Sequence, residues 1–92
     1  MTEETIQRIR QMEQYFDKLL ELEHTDPDAL REDASVQAIL CALTCYYESG
    51  QWLQDYELDE KGLLPRDLKR GVLAQDSVYD FLGRIRDAAE KL

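Results

Sequence analysis

Apolar residues recur at helical spacing along most of the chain. Ile6, Ile9, Met12, Phe16 and Leu19 step by three and four, with Leu20 beside them, while Glu, Gln, Arg and Lys fill the opposite side. That pattern predicts an amphipathic helix over residues 3–23. Thr2 is placed to cap it, and Glu3 and Glu4 stand in its first turn, where negative charge suits the helix dipole. The pattern breaks at His24 to Asp28. Asp26-Pro27 is a helix-start signal, because Asp can cap and Pro at the first helical position lacks only an N–H that would have no partner there. A second helix is predicted from about Pro27 to Glu48, with Leu30, Ala34, Val36, Ile39, Leu40, Leu43 and Tyr47 as its stripe. The short link makes the pair an antiparallel hairpin.

Ser49-Gly50 ends that helix. Trp52, Leu53 and Tyr56 are spaced like one face of a short helix that stops at Gly62, and Pro65 to Arg70 predicts a further helical turn closed by Gly71. In the last helix, residues 75–91, Val78, Leu82, Ile85, Ala89 and Leu92 step alternately by four and three. Gly83 within it weakens it by about 1 kcal/mol relative to Ala. No stretch alternates with the period of a strand. The expected fold is therefore all-α: a small three-helix bundle, built from a long antiparallel hairpin plus a C-terminal helix. An ordered connector with short helical turns, residues 49–74, wraps across it. The expected core is Ile9, Phe16, Leu19, Leu40, Leu43, Trp52, Leu68, Val72, Leu82 and Ile85.

Composition narrows the class. Ninety-two residues suit a single helical domain over 1–92, and 43% hydrophobic content is richer than that of a disordered chain. No apolar run approaches the roughly 20 residues needed to cross a bilayer. The charged opening MTEETIQRIR lacks the apolar centre of a signal peptide, so a cytosolic protein is expected. The net charge is −9, unevenly spread. Residues 1–33 hold ten acids and four bases, residues 34–60 five acids and no base, and residues 61–92 five acids and seven bases. That asymmetry predicts a mildly basic C-terminal part lying against acidic neighbours. The overall sign argues against binding nucleic acid, whose phosphates need clustered Lys and Arg. It also argues against a membrane surface, since the polar face of the first helix is acidic.

The candidate chemistry is mostly negative. Asp55, Glu57, Asp59 and Glu60 suggest a calcium loop, but from Asp55 the sixth position is Glu60 rather than Gly and the twelfth is Arg66 rather than Glu. A solvated acidic face, partly paired with Lys61, Arg66, Lys69 and Arg70, is expected instead. Zinc is disfavoured: His24 is the only His, and Cys41 and Cys45 stand at helical spacing, where two reduced, partly buried thiols are expected. Pro65–Arg70, Gly71 and the last helix imitate a helix-turn-helix, yet Asp76 and Asp80 at the tip of the would-be reading helix repel phosphates. Nothing pairs a nucleophile with a base and an orienting group. No catalytic, cofactor-binding or metal-binding residue is assigned, no cofactor is expected, and the chain is not expected to be an enzyme.

The informative segment runs from Tyr46 to Asp80. It holds the only Trp, three of the four Gly and one of the two Pro. Its elements are the Tyr46-Tyr47 pair, Ser49, Trp52, Asp55-Tyr56, Asp59-Glu60, Gly62, Leu64-Pro65, Asp67-Leu68, the run Lys69-Arg70-Gly71-Val72-Leu73, and Asp76. This series, with the opening RIRQMEQYFDKLLEL, resembles a family of small, mainly bacterial proteins catalogued only as a domain of unknown function. The resemblance covers most of the chain and is densest from Tyr46 to Leu82. It departs at Ala74, where Ser would cap the last helix; Asp76 can act one turn in. The family implies a small helical fold and transfers no catalytic residue, cofactor or partner. Tyr46, Tyr47, Trp52, Tyr56 and Tyr79 can be core, sealing the open end of the hairpin, or an interface, where Trp and Tyr are common anchors. The candidate interaction surface is Tyr46, Tyr47, Trp52, Asp55, Tyr56, Asp59, Glu60, Lys69 and Arg70. The expected function is a non-enzymatic protein-interaction or structural module of the bacterial cytosol, binding an unidentified protein or itself as a homo-oligomer. The alternative is an acidic inhibitor or nucleic-acid mimic that occupies a basic partner.

Overall fold

A computed structural model describes residues 3–69, 71–74 and 76–90, without the side chains of 88–90. Thr2 as a cap, Arg70 in the candidate surface, Gln75 at the start of the last helix, and the side chains of Ala89 and Leu92 lie outside the described residues. The elements are α1 (Glu3–Thr25), α2 (Ala29–Glu32), α3 (Ala34–Glu48), α4 (Gln51–Glu60), a 3-10 turn (Gly71–Leu73) and α5 (Ser77–Glu90). Among the described residues there is no strand. The chain is all-α, as its pattern predicts.

The second predicted helix is broken in two. Asp33 adopts an extended conformation and its carboxylate accepts from the backbone N–H of Ser35 at 2.9 Å and of Val36 at 3.4 Å. It thus caps α3, which a short Asp side chain does better than it continues a helix. The apolar stripe runs through this break, because Leu30 of α2 and Val36 of α3 are both buried. The side-chain amide of Gln37 donates back to the carbonyl of Leu30 and ties the two pieces together.

Contacts along α1 give the directions. Phe16 meets Phe81 of α5 edge to face, with centroids 5.7 Å apart. Seven residues further along α1, Glu23 pairs with Arg84 of α5, so α1 and α5 run the same way. Tyr46, near the end of α3, shares a hydrogen-bonded cluster with Arg8, near the start of α1. Therefore α3 runs opposite to both, completing the three-helix bundle. The turn into α4 passes through Gly50 with φ +89°, left-handed backbone that costs Gly little. The helix α4 then crosses the end of the bundle formed by the start of α1 and the close of α3.

Six of the ten expected core residues are buried: Ile9, Phe16, Leu19, Leu43, Leu68 and Val72. Leu40, Trp52, Leu82 and Ile85 pack against that core but stay partly exposed. Val78 and Phe81 are wholly buried. The face of α5 turned to the core is thus the line from Val78 to Phe81 against Phe16, not the line from Val78 to Leu82. Leu82 turns instead toward a groove it shares with α3.

Candidate functional site

The helix α4 carries two sets of side chains with different tasks. Trp52 and Tyr56 are four apart, so they lie one turn above each other on one face. Their rings stack at 5.1 Å with an interplanar angle of 18°. Tyr47 of α3 also meets the indole, at 5.1 Å and 55°. All three are partly exposed. The row is anchored where the indole N–H of Trp52 donates to the carbonyl of Val72 at 2.8 Å. Tyr56 is bonded to Glu60, and that bond to a carboxylate raises its phenol above the ordinary range. Asp59 is half-buried and Glu60 exposed, so the row ends in acids.

Asp55 faces the other way and is wholly buried. Arg8 of α1 grips it with two bonds, Nη2 to Oδ1 at 2.8 Å and Nε to Oδ2 at 3.1 Å. The hydroxyl of Tyr46 donates to Oδ2 at 2.6 Å, and Gln51 Nε2 donates to Oδ1 at 3.4 Å. The bond to Asp55 raises the Arg8 guanidinium above its usual value. Burial, reinforced by the bond to Asp55, pushes the Tyr46 phenol well above its ordinary range. Both oxygens of Asp55 are engaged, so this cluster is a clamp for α4 rather than an open acid. Such a pair contributes directional geometry more than net stability, because desolvation offsets much of the attraction.

A second buried carboxylate fixes the connector. Glu13 of α1 is only 5% exposed, and its Oε2 accepts from the backbone N–H of Val72 at 2.6 Å. Gly71 leaves room for this close approach, since a Cβ there would stand 3.0 Å from Glu13 Oε1 and crowd the carboxylate. Outside these buried groups, Lys69 reaches Asp17 at 3.1 Å and Arg84 grips Glu23 through bonds of 2.9 and 3.0 Å. Two bases of the C-terminal third, Lys69 and Arg84, thus lie against acids of the first.

The candidate surface is thereby divided. Tyr47, Trp52, Tyr56, Asp59 and Glu60 are brought together on or beside one outer row. Tyr46 and Asp55 lie beneath it, buried, and are not available to a partner. The expected solvated acidic face loses Asp55, because α4 crosses α1 at Arg8. Lys69 stands apart, against α1. Cys41 and Cys45 are exposed rather than partly buried, since the side of α3 that carries them faces away from α1. Arg8, Glu13 and Gln51 are structural partners that the sequence does not single out. Glu13 had a signal: it stands four after Ile9 and three before Phe16, a charge set inside the apolar stripe.

Among the described residues, no group of three or more His, Cys, Asp or Glu is placed to hold a metal ion. No described helix is long and apolar enough to cross a membrane. No curated protein and no solved structure matches the chain. A family model matches residues 9–92, nearly the whole length, including the row, the Gly71 turn and all of the clamp except Arg8. By that match the chain belongs to the family described as Domain of unknown function (DUF4298).

Proposed function

We propose that the protein is a non-enzymatic protein-interaction module of the bacterial cytosol, and that it meets a protein partner through the row Tyr47–Trp52–Tyr56. The observation that carries this is the stacked, partly exposed row itself, held in place from below. Trp and Tyr are frequent hot spots of interfaces. Rings already fixed in stacked positions lose little side-chain entropy on binding, so more of the contact energy survives as affinity. The acids Asp59 and Glu60 at one end of the row favour a partner with a basic rim.

The test is affinity capture by the immobilised native chain, compared with Tyr56→Ser and Glu60→Lys. Neither residue is part of the buried clamp. The native chain is expected to retain a defined protein. Tyr56→Ser should weaken retention about tenfold with an unchanged urea midpoint, on the scale of a hot-spot truncation. Equal retention by the folded Tyr56→Ser chain overturns the proposal. Retention that duplex DNA displaces, and that falls steeply with salt, overturns it in favour of an acidic mimic of nucleic acid.

A further inference from the structure

The helix α3 is unlike the rest of the chain. No charged residue occurs from Ala34 to Tyr47, in a protein whose residues are 34% charged. Burial against α1 explains Val36, Leu43 and Tyr46. It does not explain the outer side, where Gln37, Ala38, Cys41 and Cys45 are exposed. Beside that side lies the groove between α3 and α5, lined by Leu40, Thr44, Tyr47, Tyr79, Leu82 and Ile85. Tyr79 is 59% exposed there. Two charges rim this groove, Glu48 and Arg86. Neither has an ion-pair partner among the described residues.

We propose that a second copy of the chain covers the α3/α5 face, in an antiparallel two-fold dimer that sets Glu48 of each copy against Arg86 of the other. Charge selects this occupant. Two copies carrying −9 each repel through their acidic faces, and α3 offers a long surface with no charge to repel. Geometry supplies the complementarity. Because α3 and α5 are antiparallel, Arg86 lies toward the Leu40 end of the groove and Glu48 toward the Tyr79 end. Those ends are about 12 Å apart, eight residues of helix. A two-fold axis perpendicular to the helices, crossing near Thr44, exchanges the ends. It lays α3 against its own copy and brings each Glu48 level with the other copy's Arg86. Such self-complementarity is what an isologous interface requires. The face is roughly 22 Å long and 20 Å wide, two neighbouring helices of fifteen and fourteen residues. That is smaller than the about 800 Å² per partner of a standard interface, so a weak, concentration-dependent dimer is expected.

This goes beyond the aromatic-row proposal, and the two fail separately. Dimerisation is read on the purified chain, capture on a foreign protein, and the variants avoid the row. Sedimentation equilibrium of the full chain up to millimolar concentration should give a monomer–dimer fit. Glu48→Arg and Arg86→Glu should each weaken dimerisation about tenfold, and the double swap should restore it to within roughly threefold. A short bis-maleimide supplies a second readout. Cys45 lies nearer the axis than Cys41, so in Cys41→Ser the remaining thiol should crosslink two copies faster than in Cys45→Ser. A chain that stays monomeric at millimolar concentration overturns the proposal and leaves the groove to a foreign helix. A dimer indifferent to the charge swaps, or one in which Cys41 crosslinks faster, overturns it as well.

Discussion

The two ends of the bundle are closed by different means. At the end where α2 sits, Leu19, Leu30 and Val36 are buried, and the polar contact between α1 and α5 is the Arg84–Glu23 pair at the surface. At the end crossed by α4, the fully buried residue of the crossing helix is not apolar; it is Asp55. The helix α4 offers the core only the partial burial of Trp52 and Leu58. Apolar burial is non-directional and lets a helix slide or roll at modest cost. Arg8, Tyr46 and Gln51 converging on one carboxylate, with the indole of Trp52 on the carbonyl of Val72, allow one placement. One end is closed by bulk and the other by address, and the aromatic row stands on the second.

The sharpest break of that comparison is Asp55→Ala. It leaves the Arg8 guanidinium and the Tyr46 hydroxyl without their shared acceptor, and removing one partner of a buried pair is strongly destabilising. Arg8 is itself 30% exposed and regains some water, so the expected loss is about 3 kcal/mol, the lower edge of the range for buried pairs. Urea unfolding reads it. The triple change Arg8→Met, Tyr46→Phe, Asp55→Leu should regain at least half of that loss, because well-packed apolar groups commonly match a buried ionic cluster in stability. A loss under about 1 kcal/mol for Asp55→Ala would show that α4 is held by its apolar contacts after all.

Gly71→Ala probes the other buried carboxylate and should cost less. Its Cβ would crowd Glu13 Oε1, and the side chain has to shift away from the N–H of Val72. The expected loss is about 1–2 kcal/mol, the scale of a strained contact plus a weakened charged hydrogen bond. Hydrogen exchange localises it. The amide of Val72 should exchange faster in the variant, while amides of α1 around Phe16 keep their protection. Unchanged protection at Val72 would mean that Glu13 does not hold the turn.

Much of this fold is legible in the residues, and the losses have one cause. The stripe of α1, the stop at Gly50 and the aromatic spacing of Trp52 and Tyr56 depend on neighbours within a turn or two. Where a distant element decides, the pattern misleads. The acidic run reads as a solvated face, and only Arg8, 47 residues earlier in the chain, turns Asp55 inward. Periodicity marks a stripe on α5 but cannot tell that Phe81, rather than Leu82, meets Phe16. Asp33 reads as part of a longer helix because the apolar pattern continues through it, while its side chain stops the helix locally. In the candidate surface, the aromatic row is legible from spacing. The division between the row and the clamp beneath it is not, because alternate sides of α4 meet different partners.

The smallest effect at neutral pH, and the most specific, concerns Tyr46. Tyr46→Phe removes one buried hydrogen bond and should cost about 1 kcal/mol near neutrality. Its signature is alkaline. The folded phenol titrates above its unfolded value because it is buried and bonded to Asp55. Below an unfolded pKa of about 10 both states are neutral, and the contribution is fully present. As pH rises past that point the unfolded chain releases the proton first, so native stability falls until the folded phenol also ionises. Lys69 and Tyr56 are raised too, by Asp17 and Glu60, but both bonds are exposed and screened, and they are common to both chains. The native urea midpoint should therefore drop more between roughly pH 8 and pH 11 than that of Tyr46→Phe. Hydrogen exchange at the higher pH should show α4 losing protection before the Phe16–Phe81 contact does. Parallel midpoint curves for the two chains would mean that the Tyr46 proton is not held by the fold, and that the polar end is looser than its geometry requires.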